Sequence, residues 1–136
     1  MNRMEFFKNV IIGGAGLFFL PANAENNVPG KQKIMLANIF ISGFQYYDGP
    51  EVADMLETGL ILKLNREPHN RWDRNAVEIY AGEAKLGYIP RNENNTIARL
   101  LDSGIHIQAM ITDLDPESFP YGSVKAEVFY FAPLSE

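Results

Sequence analysis

One stretch of this chain concentrates the side chains that could do chemistry: Arg66-Glu-Pro-His-Asn-Arg-Trp-Asp-Arg-Asn-Ala76. Asn70, Asp73 and Asn75 are short hydrogen-bonding residues, suited to a wide turn whose backbone groups need partners. Trp72 lies among them in a polar setting rather than in an apolar stripe. An aromatic ring on such a loop either caps the rim of the fold or offers a flat surface to a ligand. Asp73 and Asn75 also read as structural residues of that turn. Arg66 pairs with Glu67 or Asp73 in this reading, and Arg91 is either a ligand contact or a solvated residue at a helix start. Arg66, Arg71, Arg74, Lys85 and Arg91 are half of the cations beyond residue 24. They form a local basic cluster on an acidic body, since residues 25–136 carry ten Lys and Arg against sixteen Asp and Glu.

Other chemistries find little support. Without cysteine there is no disulfide, thiolate metal site or cysteine nucleophile. His69 and His106 are far apart in sequence and lack metal-ligand spacing. Asp113-Leu-Asp115-Pro-Glu117 alternates carboxylates but lacks the glycine and full ligand count of a calcium loop. No nucleophile elbow, phosphate-binding glycine loop or dinucleotide fingerprint is present. The chain is therefore read as a binding domain rather than an enzyme, with no cofactor and no metal.

The elements that must position these residues follow from periodicity. Ile34–Phe44 is rich in β-branched and aromatic residues and reads as a strand. Asp48-Gly-Pro-Glu51 reads as a helix start capped by Asp48, with Val52, Met55 and Leu56 on one face and Gly59 as the stop. Leu60, Leu62 and Leu64 alternate along a second strand. Ala76–Tyr80 and Lys85–Ile89 form a hairpin, after which Asn92 can cap a short amphipathic helix through Ile97, Leu100 and Leu101 that ends at Gly104. Ile105–Thr112 and Val124–Phe131 are the last two strands, separated by a loop with two prolines. The order β-α-β-β-β-α-β-β gives a mainly β fold with two short helices. So few strands protect their edges best as a small, six-stranded, partly open barrel.

Residues 1–24 read as a signal peptide. Arg3 and Lys8 precede the apolar run Val10–Leu20, and Ala22-Asn23-Ala24 offers a cleavage point. The run is short of the ~20 residues that span a bilayer, so no stable membrane span is expected after cleavage. Arg3-Met4 places a methionine where a twin-arginine signal has its second arginine. This reading places the protein in the periplasm or outside the cell; otherwise it is cytoplasmic. Residues 25–33 read as a linker, and 34–133 as one domain.

Two motifs give a family resemblance. Residues 66–76 fit R-x-P-x-N-x-x-D-x-N-A, and Leu86-Gly-Tyr-Ile-Pro-Arg91 fits L-G-Y-I-P followed by a basic residue. In this order they resemble the HIRAN domain family, and looser similarity runs from Ile39 to Phe131, including Gln45-Tyr46-Tyr47-Asp48-Gly49. The resemblance implies a barrel related to the OB-fold. In the best understood member such a domain grips the 3′ end of single-stranded DNA. Carried over by position, Tyr46 and Trp72 would be platforms for terminal bases, with Tyr47 the alternative to Tyr46. Asp73 would accept a hydrogen bond from the 3′ hydroxyl, and Asn70, Tyr88 and Arg91 would contact phosphate or sugar. Phe119 would be a further stacking residue. Gln45 and Tyr88 depart from that member, which has arginine and histidine there, and this chain carries no helicase or nuclease module beside the domain. The alternative is an exported domain of the same fold that binds a glycan, peptide or protein.

Overall fold

The computed structural model describes residues 28–115, 117 and 123–134. The segment read as a signal peptide and Phe119 lie outside them. Strand alternation generates the core. β1 (Lys31–Phe40) sends Ile39 inward, β2 (Ile61–Arg66) Leu62 and Leu64, and β3 (Val77–Ala81) Val77 and Ile79. β4 (Ala84–Tyr88) adds Leu86, β5 (Gln108–Asp115) Ala109 and Ile111, and β6 (Ser123–Pro133) Val124, Ala126 and Val128. The intervening residues Ile61, Met110 and Phe129 make a second, smaller apolar cluster, with Phe131 packed on it. Because successive residues of a strand face opposite sides, this cluster sits on the outer face of the sheet.

The strands form one antiparallel sheet in the order β1-β6-β5-β2-β3-β4. Register shifts at Met35/Ala37, Ile79/Tyr80 and Ile111/Asp113 bend it. The two ends of the sheet then meet. Beyond β1, Ser42 N–H donates to the Tyr88 carbonyl and Tyr88 N–H to the Ser42 carbonyl, both at 2.9 Å. The result is a partly open barrel whose two ends touch, among the described residues, at one bridge, in agreement with the sequence reading. Gly87 permits that closure: its φ is +146°, and a Cβ there would lie 2.2 Å from the Ser42 carbonyl oxygen.

Two helices fill the remaining space. α1 (Gly49–Val52) is a single turn, followed by a 3-10 turn over Ala53–Met55, and Leu56 is already extended. The expected helix through Leu56 is therefore shorter than read. Asp48 does not cap it: the Asp48 carboxylate accepts from Lys85 N–H at 3.0 Å, and Asp48 N–H donates to the Lys85 carbonyl at 2.9 Å. This stitches the start of α1 to β4. α2 (Asn94–Asp102) buries Ile97 and Ala98 and gives way to Gly104, whose φ is +90°. Asn92 lies in a preceding 3-10 turn, Arg91–Glu93, and makes no cap. β1 begins three residues ahead of Ile34, in the stretch read as linker, because Lys31–Lys33 pair with Phe131–Pro133.

Candidate functional site

The β2–β3 loop is held by its own side chains. Asn70 Oδ1 accepts from the backbone N–H groups of Trp72 (2.8 Å) and Asp73 (3.0 Å), while Asn70 Nδ2 donates to Glu67 Oε1 at 3.0 Å. Asp73 Oδ1 accepts from Asn75 N–H at 2.9 Å. Arg66 anchors the loop from beneath, donating to the carbonyls of Ala76 (2.8 Å) and Arg74 (3.0 Å) and to both carboxylate oxygens of Asp102. Its carboxylate partner is thus Asp102, 36 residues away in sequence, and neither Glu67 nor Asp73. In turn, the Arg66 guanidinium holds the Asp102 carboxyl below its ordinary value.

With its backbone fixed in this way, Trp72 stands in solvent, 75% exposed, with the Arg71 guanidinium 5.3 Å from its ring centre. Arg91 reaches from the turn after β4 to donate to the Trp72 carbonyl, and its Nε lies 3.9 Å from Asp73 Oδ2. That same oxygen accepts from Nδ2 of Asn94 at 2.8 Å. Asn94 opens α2 and is only 2% exposed, so it fixes the carboxylate from the protein side. The sequence reading missed it, yet a signal existed: Asn94 shares the apolar face of α2 with Ile97 and Leu101.

Behind the loop lies a chain of coupled groups. Tyr88 Oη donates to Glu67 Oε1 at 2.6 Å and accepts from Lys85 Nζ at 2.9 Å. Lys85 also sits 3.0 Å from Glu78 Oε2, which accepts from Tyr80 Oη, while Glu78 Oε1 accepts from Asn65. Burial and the bond to Glu67 push the Tyr88 phenol up to about 12. Burial works against the charged forms of Lys85 and Glu78, but their bonds prevail. Tyr88 and Glu78 hold the Lys85 amine above its ordinary value, and Asn65, Lys85 and Tyr80 hold the Glu78 carboxyl below its own. Lys85 further lies 4.3 Å from the centre of the Tyr47 ring, which meets Tyr88 edge-on with centroids 5.7 Å apart.

These elements surround a groove of about 280 Å³ lined by Ser42, Tyr47, Asn70, Trp72, Asp73, Ala76, Tyr88, Ile89 and Arg91. A larger cleft of about 700 Å³ continues along Pro68–Arg74 to Arg91. Five of the residues read from the sequence, Asn70, Trp72, Asp73, Tyr88 and Arg91, are therefore brought together. Tyr46 is 76% exposed but does not line the groove, whereas Tyr47 does. The basic cluster divides: Arg66 is paired with the exposed Asp102 and Lys85 with the buried Glu78, while Arg71, Arg74 and Arg91 border the clefts. Among the described residues, no group of three or more His, Asp or Glu is placed to hold a metal ion.

A partly open barrel whose ends meet at a bridge, with an aromatic ring, a fixed carboxylate and arginines beside that bridge, defines a small binding module. Residues 34–129 match the HIRAN domain family. The chain belongs to that family. No curated protein matches it. A crystal structure of a protein from Lactobacillus plantarum is similar at a TM-score of 0.66 and 28% identity, covering 75% of this chain and 98% of that one. The crystal structure of the HIRAN domain of human HLTF is similar at a TM-score of 0.60 and 14% identity, covering 78% and 84%. An NMR structure of the HLTF HIRAN domain gives 0.53 and 15%, covering 74% and 80%. The two HLTF comparisons speak for the shared fold.

Proposed function

We propose that the domain binds single-stranded nucleic acid and grips the 3′ end of a DNA strand in the groove beside Trp72. The observation that carries this reading is the placement of an exposed indole and a hydrogen-bonded carboxylate on consecutive residues of one braced loop. Base–aromatic stacking contributes about 1–3 kcal/mol per base and needs no sequence code. A carboxylate repels phosphate but accepts from a hydroxyl, so Asp73 selects a free 3′ hydroxyl over a 3′ phosphate. Arg91 and Arg71 supply positive charge for the backbone. Asn70 has its carbonyl oxygen fully used within the loop and offers one remaining amide hydrogen. Tyr88, whose hydroxyl is held by Glu67 and Lys85, offers chiefly its ring. Tyr46 would supply a second platform from outside the groove, and Phe119 a third.

The test is fluorescence anisotropy of the full chain with short single-stranded DNA ending in a 3′ hydroxyl or a 3′ phosphate. The hydroxyl end should bind more tightly. Trp72→Ala should weaken binding about 5- to 150-fold, and Asp73→Asn should erase the preference between the two ends. Equal affinity for both ends in the unaltered protein, or full affinity in both variants, would discard the assignment. Export is a separate proposal, supported by the composition of residues 1–24; a mature N-terminus near Glu25 is the result it requires.

A further inference from the structure

The strand that closes the barrel carries a further aromatic–cation pair, on an exposed ring. Phe40 ends β1, is 53% exposed, and has Lys125 Nζ 5.0 Å from its ring centre. The two residues are register partners across β1 and β6. With Asn38, Thr112 and Asp113 they line a depression of about 420 Å³. Its position links it to the groove. Ile39 and Ile41 both lie in the core, so Phe40, the last residue of β1, and Ser42, two residues beyond it, face outward from one continuous segment. Ser42 lines the groove, and two strand residues cover only about 7 Å.

We propose that the Phe40–Lys125 face is a second contact station for the strand held at Trp72, one that stacks a base on Phe40 and pairs a phosphate with Lys125. The inference rests on the proposed function and extends it. If the 3′ end lies against Asp73, the station receives nucleotides on its 5′ side. The occupant is an unpaired strand, since a stacking ring with one cation reads a base face and a phosphate and has no means of reading sequence. Asp113, the register partner of Lys125 on β5, disfavours phosphate on its own side and leaves the Phe40 side as the path. Asn38 and Thr112 provide neutral hydrogen-bonding groups along it.

The experiment compares a thymidine dinucleotide with an oligothymidine decamer, both with free 3′ hydroxyls, binding to the full chain and to three variants. The unaltered protein should bind the decamer more tightly. Phe40→Leu, which stays apolar but cannot stack, should weaken the decamer about 5-fold or more and leave the dinucleotide unchanged. Lys125→Ala should lower the slope of log affinity against log salt by about 0.7 for the decamer alone. Trp72→Ala should weaken both ligands. Unchanged dinucleotide affinity also reports that the variants are folded. A decamer insensitive to Phe40→Leu and Lys125→Ala, yet sensitive to Trp72→Ala, overturns the second station and leaves the groove in place. Failure of the unaltered protein to bind either ligand overturns both.

Discussion

Gly87→Ala attacks the bridge that closes the barrel, and its consequence can be worked from the geometry. The new Cβ would stand 2.2 Å from the Ser42 carbonyl oxygen and 2.9 Å from a methyl of Ile41, at a backbone φ of +146°. A non-glycine residue held in such a conformation costs about 1–3 kcal/mol. The clash is with backbone, which no side-chain rotation relieves, so Ser42 and Tyr88 must separate. That forfeits two hydrogen bonds of 2.9 Å, each contributing about 0.5–1.5 kcal/mol. The sum is about 2–6 kcal/mol, a large share of the ~5–15 kcal/mol that holds a typical domain together. Urea unfolding followed by far-ultraviolet circular dichroism measures it directly. DNA binding should fall as well, because Ser42 and Tyr88 both line the groove. A loss below ~1 kcal/mol, with an unchanged dependence on urea, would refute the reasoning, since it would mean that the two ends of the sheet need not meet.

The pH dependence follows from Tyr88. Its folded value is about 12 against an ordinary 10.0. The folded state thus holds the proton more tightly than the unfolded chain, and the associated stability is whole below pH 10 and is lost as pH rises toward 12. Chemical denaturation across that window should show the decline, and Tyr88→Phe should make it shallower; an identical profile in the variant would assign the effect elsewhere. Arg66→Met should cost about 1–3 kcal/mol through its two lost bonds to loop carbonyls and should weaken DNA binding, whereas Asp102→Asn, at an exposed partner, should change either property little. Equal effects of the two substitutions in urea unfolding and anisotropy would show that the ion pair, and not the carbonyl bonds, braces the loop.

The parts of the site that could be read from the sequence are those encoded locally. The side chains of Asn70 and Asp73 accept from backbone N–H groups two or three residues on, so their spacing alone announces the turn. The succession of strands and helices along the chain was legible for the same reason, since alternation and turn residues act over a few positions, whereas the order of the strands in the sheet, β1-β6-β5-β2-β3-β4, depends on long-range pairing. What escaped depends on contacts across the fold. Arg66 finds Asp102 in α2, Asp73 finds Asn94, and Asp48 clamps β4 instead of capping a helix. The internal engagement of Lys85, which removes it from the basic cluster, requires Glu78 and Tyr88 on the paired strands β3 and β4. The choice between Tyr46 and Tyr47 turns on which side of the 3-10 turn at Phe44–Tyr46 faces the groove, and adjacent tyrosines carry no pattern that settles it.

The pairing of β1 with β6 has a further consequence. Lys31 stands opposite Pro133, and Leu134 N–H donates to the Gly30 carbonyl, so the two ends of the domain leave side by side. They do so at the opposite end of β1 from Ser42, about 35 Å of extended chain away from the groove. A domain built this way can be spliced into a surface loop of another protein, or have its ends joined and be reopened elsewhere, without disturbing the ligand end. The architecture makes the module portable: whatever is attached at its ends is kept clear of the groove beside Trp72.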